Sequence, residues 1–167
     1  MRAMLENLGI ANLGLTGFGP DVPIFPANLL NTGIYQQIAE ERYSFVGSDH
    51  VNDQNVKHVL RAIEEFFLDA TETPRSFREL IDILLSPPYG IRADIIPILF
   101  AAAYLGFPRP LNLMDEGVYV KDLKAETFER ILQVPDKITV QCVPLPLFKS
   151  YMPFVLLENE RPMTAME

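Results

Sequence analysis

The sequence predicts a mostly helical α+β fold with a small β-hairpin: a winged-helix-like domain preceded by an irregular N-terminal arm. Three observations lead to this prediction. Apolar residues recur at helical spacing over several stretches, two short apolar runs flank an Asp-Glu-Gly turn, and an early segment is rich in proline and glycine. The order helix, helix, helix, hairpin is that of a winged-helix module.

Composition limits the classes of protein that this chain can represent. The 167 residues are 49% apolar and 22% charged, which is typical of one folded domain. The net charge of -8, with no basic segment, disfavours binding to nucleic acid or to anionic membranes. A single cysteine, Cys142, excludes an internal disulfide, and we expect a cytoplasmic protein.

Residues 1–48 are expected to form the irregular arm, with short helices. Residues 1–9 have the composition of one or two helical turns. Residues 14–26 contain three prolines and predict turns and extended chain. Residues 27–39 carry apolar side chains at helical spacing and predict a helix with a break at Gly33.

The winged-helix-like domain is predicted over residues 49–157, and it begins with two helices. Asn52 or Asp53 is expected to cap an amphipathic helix that runs to about Ala70. Ser76, followed three residues later by Glu79, has the form of a capping box that opens a second helix.

A Pro-Pro-Tyr-Gly turn at residues 87–90 then leads into an almost wholly apolar helix. Asp94 is the expected cap, which would place Pro97 in the first turn, where a missing N–H costs nothing. Gly106 is the expected C-terminal cap. The apolar run at residues 95–105 is about half of the roughly 20 residues that a membrane span needs, so it predicts a core helix.

The remaining elements are a hairpin, a helix and a strand. Residues 111–120 predict a hairpin with a three-residue turn around Gly117, the wing of the expected fold. A helix is predicted from Asp122 to Pro135, and residues 138–143 alternate like a half-buried strand. Residues 158–167 are expected to form a loose tail.

One segment resembles a known family. Pro87, Pro88, Tyr89, Gly90, Ile91 and Arg92, followed by the aliphatic run 96–103 and the hairpin about Gly117, resemble a region of large P-loop ATPases of BREX-type phage-defence systems and related bacterial ATPases. This chain has no Gly-x-x-x-x-Gly-Lys-Ser/Thr loop, so the nucleotide chemistry of that family is not carried over. The resemblance implies an accessory domain, encoded alone or taken from a larger protein.

The sequence favours no catalytic site, metal site or cofactor. His50 and His58 are eight residues apart, which is not the spacing of a helical metal pair. Cys142 lies in the alternating strand, where a buried cysteine usually acts as a small apolar residue. The acidic pairs are adjacent residues, which point to different sides of a helix. We therefore expect a protein that is not an enzyme.

Five residues are candidates for contact with a protein or a nucleic acid. Tyr89 and Arg92 follow the prolines, and either cover the core and the preceding helix end or form an exposed aromatic and cationic pair. Arg109, Lys121 and Lys124 are the basic residues near the turn and the wing. The apolar helix offers no side chain that could read base edges, so DNA contact would depend on this basic set.

Three functions remain open from the sequence. The first is a non-catalytic protein-interaction or assembly module with a protein partner or as a homo-oligomer. The second is a DNA-binding winged helix that uses the turn and the wing. The third is a small-molecule-binding domain with an aromatic pocket.

Overall fold

The computed structural model describes residues 2–14 and 29–144, and over these residues the protein is α+β, with five α-helices and two antiparallel sheets. The helices are α1 (Arg2–Glu6), α2 (Gln54–Asp69), α3 (Phe77–Leu85), α4 (Ile96–Gly106) and α5 (Ala125–Gln133). The strands are β1 (Tyr35–Ala39), β2 (Arg42–Phe45), β3 (Arg75–Ser76), β4 (Leu111–Asp115), β5 (Val118–Tyr119) and β6 (Ile138–Cys142). Nearly all of the predicted 14–26 stretch and the predicted tail 158–167 lie outside the described residues.

The prediction of a mostly helical, winged-helix-like domain with one small hairpin is wrong. The larger sheet has four strands in the order β3-β6-β4-β5, so β6 is a central strand. It pairs with β4 from Ile138 to Cys142, whereas β5 pairs with only two residues of β4. Alternate residues of β6 are buried, and this two-residue period requires a sheet that packs on the helical core.

The hairpin predicted around Gly117 is present, with a shorter turn. Glu116 and Gly117 form a two-residue connection, and both have positive φ values, of 51° and 80°. Turns with positive φ at both central residues match the twist of the flanking strands. The predicted three-residue turn is therefore a two-residue one.

The second sheet is the hairpin β1–β2, in a segment where the sequence predicted a helix. That helix, predicted over residues 27–39, is wrong from Tyr35 onward, because Tyr35 pairs across the strands with Phe45 and the ring centroids are 4.8 Å apart. The chain reverses through Glu41 at a φ of 56°. Cross-strand aromatic packing therefore outweighs the local helical spacing.

Helices α2 and α3 match the predicted ones, and both begin at a side-chain cap. The Asp53 carboxylate accepts hydrogen bonds from the backbone N–H groups of Asn55 and Val56, at 2.9 and 3.0 Å. Ser76 caps α3 through the Arg78 N–H. Glu79 does not close the predicted capping box; it pairs with Arg75 instead.

Helix α4 is buried along most of its length, as its apolar sequence predicted. It has no side-chain cap, because the predicted cap Asp94 binds Arg92. Pro97 lies in the first turn as expected. Gly106 is not a left-handed cap: it belongs to the helix, and a Cβ at this position would lie 2.8 Å from the backbone oxygen of Val46. The glycine allows the end of β2 to cross the end of α4.

One hydrophobic core joins the N-terminal segment to the rest. Its centre is Phe100, which lies against Phe67, Phe77 and Phe128 at ring centroid distances of 5.6, 4.5 and 5.5 Å. Met4, Leu13, Leu29, Ile34, Tyr35 and Phe45 belong to the same buried cluster.

In the part of the chain that the structure describes, no helix combines the length and apolar character needed to cross a membrane.

Candidate binding surface

The turn between α3 and α4 is held by backbone hydrogen bonds. The N–H groups of Tyr89 and Gly90 both donate to the carbonyl of Ser86 at 3.0 Å. The N–H of Ile91 donates at 2.8 Å to Leu84, a carbonyl at the end of α3. The free carbonyl of α3 is thus satisfied by backbone, and the turn presents its side chains from a fixed position.

Tyr89 is half-buried and stacks on a side chain that the sequence did not link to it. Its ring lies 5.1 Å from the ring of His58 in α2, with 26° between the planes. His58 itself is exposed. No local pattern in the sequence indicated this stack, because the position of His58 against the turn depends on how α2 packs on it.

Beside this stack lies a groove of about 510 Å³ between the first turns of α2, the Tyr89 turn and the start of α4. We call it the Tyr89 groove. Its buried base includes Val59 and Leu99, and the exposed Gln54 and Asn55 lie at its edge. The described lining residues are Thr32, Gln54, Asn55, Val56, His58, Val59, Pro88, Tyr89, Ile91, Ile95 and Leu99. None of these is a lysine, arginine, aspartate or glutamate, so the groove suits an uncharged, mainly apolar occupant.

Arg92 lies on the same turn but does not bind the end of α3. It is exposed and makes a two-point ion pair with Asp94, with nitrogen to oxygen distances of 3.1 and 2.6 Å. The pairing reduces the positive charge that the turn presents. Tyr89 and Arg92 therefore offer an aromatic ring beside a neutralised pair.

The other three candidate residues lie elsewhere. Arg109 follows the end of α4, and the helix between it and Arg92 is about 16 Å long from its eleven residues. Lys121 and Lys124 are exposed residues ahead of α5. Tyr89, Arg109 and Lys124 line three different depressions, so the candidates are not gathered at one site.

Arg109 lines a second cavity of about 340 Å³, which we call the Arg109 cavity. The Arg109 side chain is half-buried, and its Nη2 donates a hydrogen bond to the carbonyl of Val143 at 3.1 Å. Its Nε atom is buried and has no hydrogen-bond partner. Residues 47–50, Glu64, Leu68 and residues 106–108 form the other walls.

The pKa values that are clearly displaced belong to groups outside the two cavities. Burial raises the pKa of Tyr104 to about 12, and its hydroxyl donates to the carbonyl of Leu111 at 3.0 Å. The hydrogen bond from Arg78 lowers the pKa of Asp136. These groups stabilise contacts between elements, since Arg78 in α3 joins the turn before β6.

The described residues contain no group of three or more His, Cys, Asp or Glu side chains placed to hold a metal ion. Cys142 is fully buried in β6.

No protein-family model, curated protein or solved structure matches the chain.

Proposed function

We propose that this protein is a non-catalytic interaction module that binds an apolar segment of a partner protein in the Tyr89 groove. The observation that carries the proposal is the groove itself: a mostly apolar depression without charged lining residues, beside an aromatic ring held in place by a rigid turn. Aromatic anchors at the edge of apolar depressions are typical of the energetically dominant residues in interfaces.

The chemistry of the groove favours a peptide segment. Val59, Leu99 and Ile95 would cover an apolar side chain of the partner. The amide groups of Gln54 and Asn55 at the edge provide donors and acceptors for partner main chain. This function needs no contact between basic side chains and a polyanion, and the net charge of -8 disfavours binding to nucleic acid.

A partner of different sequence is favoured over a second copy, because two copies that each carry a charge of -8 repel one another. The resemblance to the accessory region of BREX-type ATPases makes a P-loop ATPase of such a system the first partner to test. A cytoplasmic location, favoured by the single cysteine, is part of the same proposal.

The test compares the wild type with two groove variants and one control. Tyr89→Ala removes the aromatic anchor, and Asn55→Arg places a charge at the exposed edge of the groove. Tyr119→Ala is the matched control, since Tyr119 is a 59% exposed tyrosine on the edge strand β5 and does not line the groove.

Each variant is used as bait against the candidate ATPase and in native lysate, with circular dichroism to verify folding. The proposal predicts one defined partner that is retained by wild type and Tyr119→Ala and lost by both groove variants. A photoreactive residue at Gln54 should cross-link to that partner, whereas one at Glu129 on α5 should not. Equal retention by all four proteins, or a monomer with no partner, would contradict the proposal.

A further inference from the structure

A second binding site is indicated by the Arg109 cavity, which the proposed function does not use. The cavity lies where the loop after β2, the C-terminal half of α2 and the end of α4 with its following loop meet. At about 340 Å³, it is large enough for a small metabolite and too small for a folded segment.

Arg109 forms the positive part of the cavity wall, and not all of its hydrogen-bond donors have partners. Arg109 has no carboxylate of the described residues within ion-pair distance, and its one hydrogen bond is to the carbonyl of Val143. Its buried Nε has no partner. A half-buried guanidinium without a carboxylate partner can accept an anionic ligand group through the part of it that lines the cavity.

A second part of the wall is negative. Glu64 accepts hydrogen bonds from the backbone N–H of Ser48, at 2.7 Å, and from the Ser48 hydroxyl, so its carboxylate is held in position. The C-terminal end of α4 at Gly106 adds the negative end of a helix dipole. Asp49 also lines the cavity, where it is paired with Arg61.

A third part of the wall is apolar. Leu68, Phe107 and Pro108 line the cavity next to these charged groups. Leu68 is 45% exposed, so its side chain is accessible to a ligand in the cavity. The cavity thus offers a cationic group, Arg109, an acidic side chain without an ion-pair partner among the described residues, Glu64, and an apolar surface.

We infer that the Arg109 cavity binds a small zwitterion, an apolar α-amino acid, with its carboxylate on Arg109, its ammonium group on Glu64 and its side chain on Leu68 and Phe107. A phosphate dianion fits less well, because Glu64 and Asp49 would repel it. The site is separate from the Tyr89 groove, which lies at the other end of α4.

The ligand class is tested with three matched probes and isothermal titration calorimetry. L-leucine carries both charges, 4-methylpentanoate lacks the ammonium group, and isopentylamine lacks the carboxylate. Saturable binding of L-leucine is expected, with both single-charge analogues weaker by about tenfold or more, the effect of losing one hydrogen bond to a charged group. No binding of L-leucine, or equal binding of 4-methylpentanoate, would overturn the inference.

Variants place the site on the chain. Arg109→Gln and Glu64→Gln should each lower the affinity for L-leucine by about tenfold or more. Arg42→Gln is the control, because Arg42 is an exposed arginine that does not line the cavity. If Arg109→Gln does not fold, the backbone amide chemical shifts of the wild-type protein, measured by NMR, test the assignment. Adding L-leucine should shift the amide signals of Ser48 and Leu68. Shifts confined to the amide signals of Tyr89 and His58 would refute the assignment.

Discussion

Replacement of Gly106 by alanine tests the contact that joins the N-terminal hairpin to the buried helix. A Cβ on Gly106 would lie 2.8 Å from the oxygen and 2.9 Å from the carbonyl carbon of Val46, and real Cβ atoms essentially never come below 3.0 Å. The obstacle is backbone, and the Val46 N–H is itself bonded to the carbonyl of Ile34 at 3.0 Å. Val46 therefore cannot move alone.

The sign of the effect separates two explanations of this glycine. In a helix without the contact, glycine to alanine stabilises by up to about 1 kcal/mol. Overpacking against a fixed neighbour costs about 1–3 kcal/mol. We therefore expect a net loss of about 1–2 kcal/mol in the free energy of unfolding of Gly106→Ala.

Urea denaturation followed by circular dichroism measures this loss. Gly47→Ala is the matched control: its backbone is extended, and its Cβ would lie 3.2 Å from the Glu64 Oε1 atom, a longer contact than at Gly106 and one to a side chain instead of the backbone. It should lose less than Gly106→Ala. A Gly106→Ala protein as stable as wild type, or more stable, would show that β2 does not cross the end of α4.

Three further substitutions probe the core, a partly buried hydroxyl and a helix cap. Phe100→Ala removes a ring that is 1% exposed and should cost about 3–5 kcal/mol by urea denaturation; a loss below about 1 kcal/mol would contradict its central position. Because burial raises the pKa of Tyr104 to about 12, its contribution is complete below about pH 10, the unfolded value. That contribution is lost as the pH rises through the folded value, so Tyr104→Phe should flatten the decline of stability between about pH 10 and 12, and parallel curves would refute this. Asp53→Ala removes the acceptor for two N–H groups of α2 and should lower the free energy of unfolding by about 0.5–2 kcal/mol; no change would mean that the cap is not formed.

The helices that the sequence predicted well are those with both periodicity and a local end signal. Helix α2 was expected from Asn52 or Asp53 to about Ala70 and runs over Gln54–Asp69, because Asp53 supplies the cap and its apolar face is continuous. The strand at residues 138–143 was also found, as Ile138–Cys142, from its alternation. Local chemistry was sufficient in these places.

The elements that were missed depend on contacts between distant residues. Nothing in the local sequence of β1 shows that Tyr35 will meet Phe45, and the turn between them uses Glu41 at positive φ without glycine. The place of β6 between β3 and β4 likewise results from pairings across more than 20 residues, such as Leu113 with Val140. Such pairings are selected by the packing of the whole core, so short-range patterns do not reveal them.

The same distinction applies to the candidate sites. The sequence predicted that the apolar helix belongs to the core and that the turn before it carries candidate contact residues. One of these, Tyr89, borders a groove in the structure. The sequence did not reveal that the turn meets His58, or that the other end of α4 brings Arg109 and Glu64 to one cavity. Since α4 is surrounded by core along its length, its two ends are where it meets the surface, and each end contributes a wall to one of the two cavities. A helix whose side chains are almost all apolar therefore contributes to both proposed sites by positioning the loops that flank it.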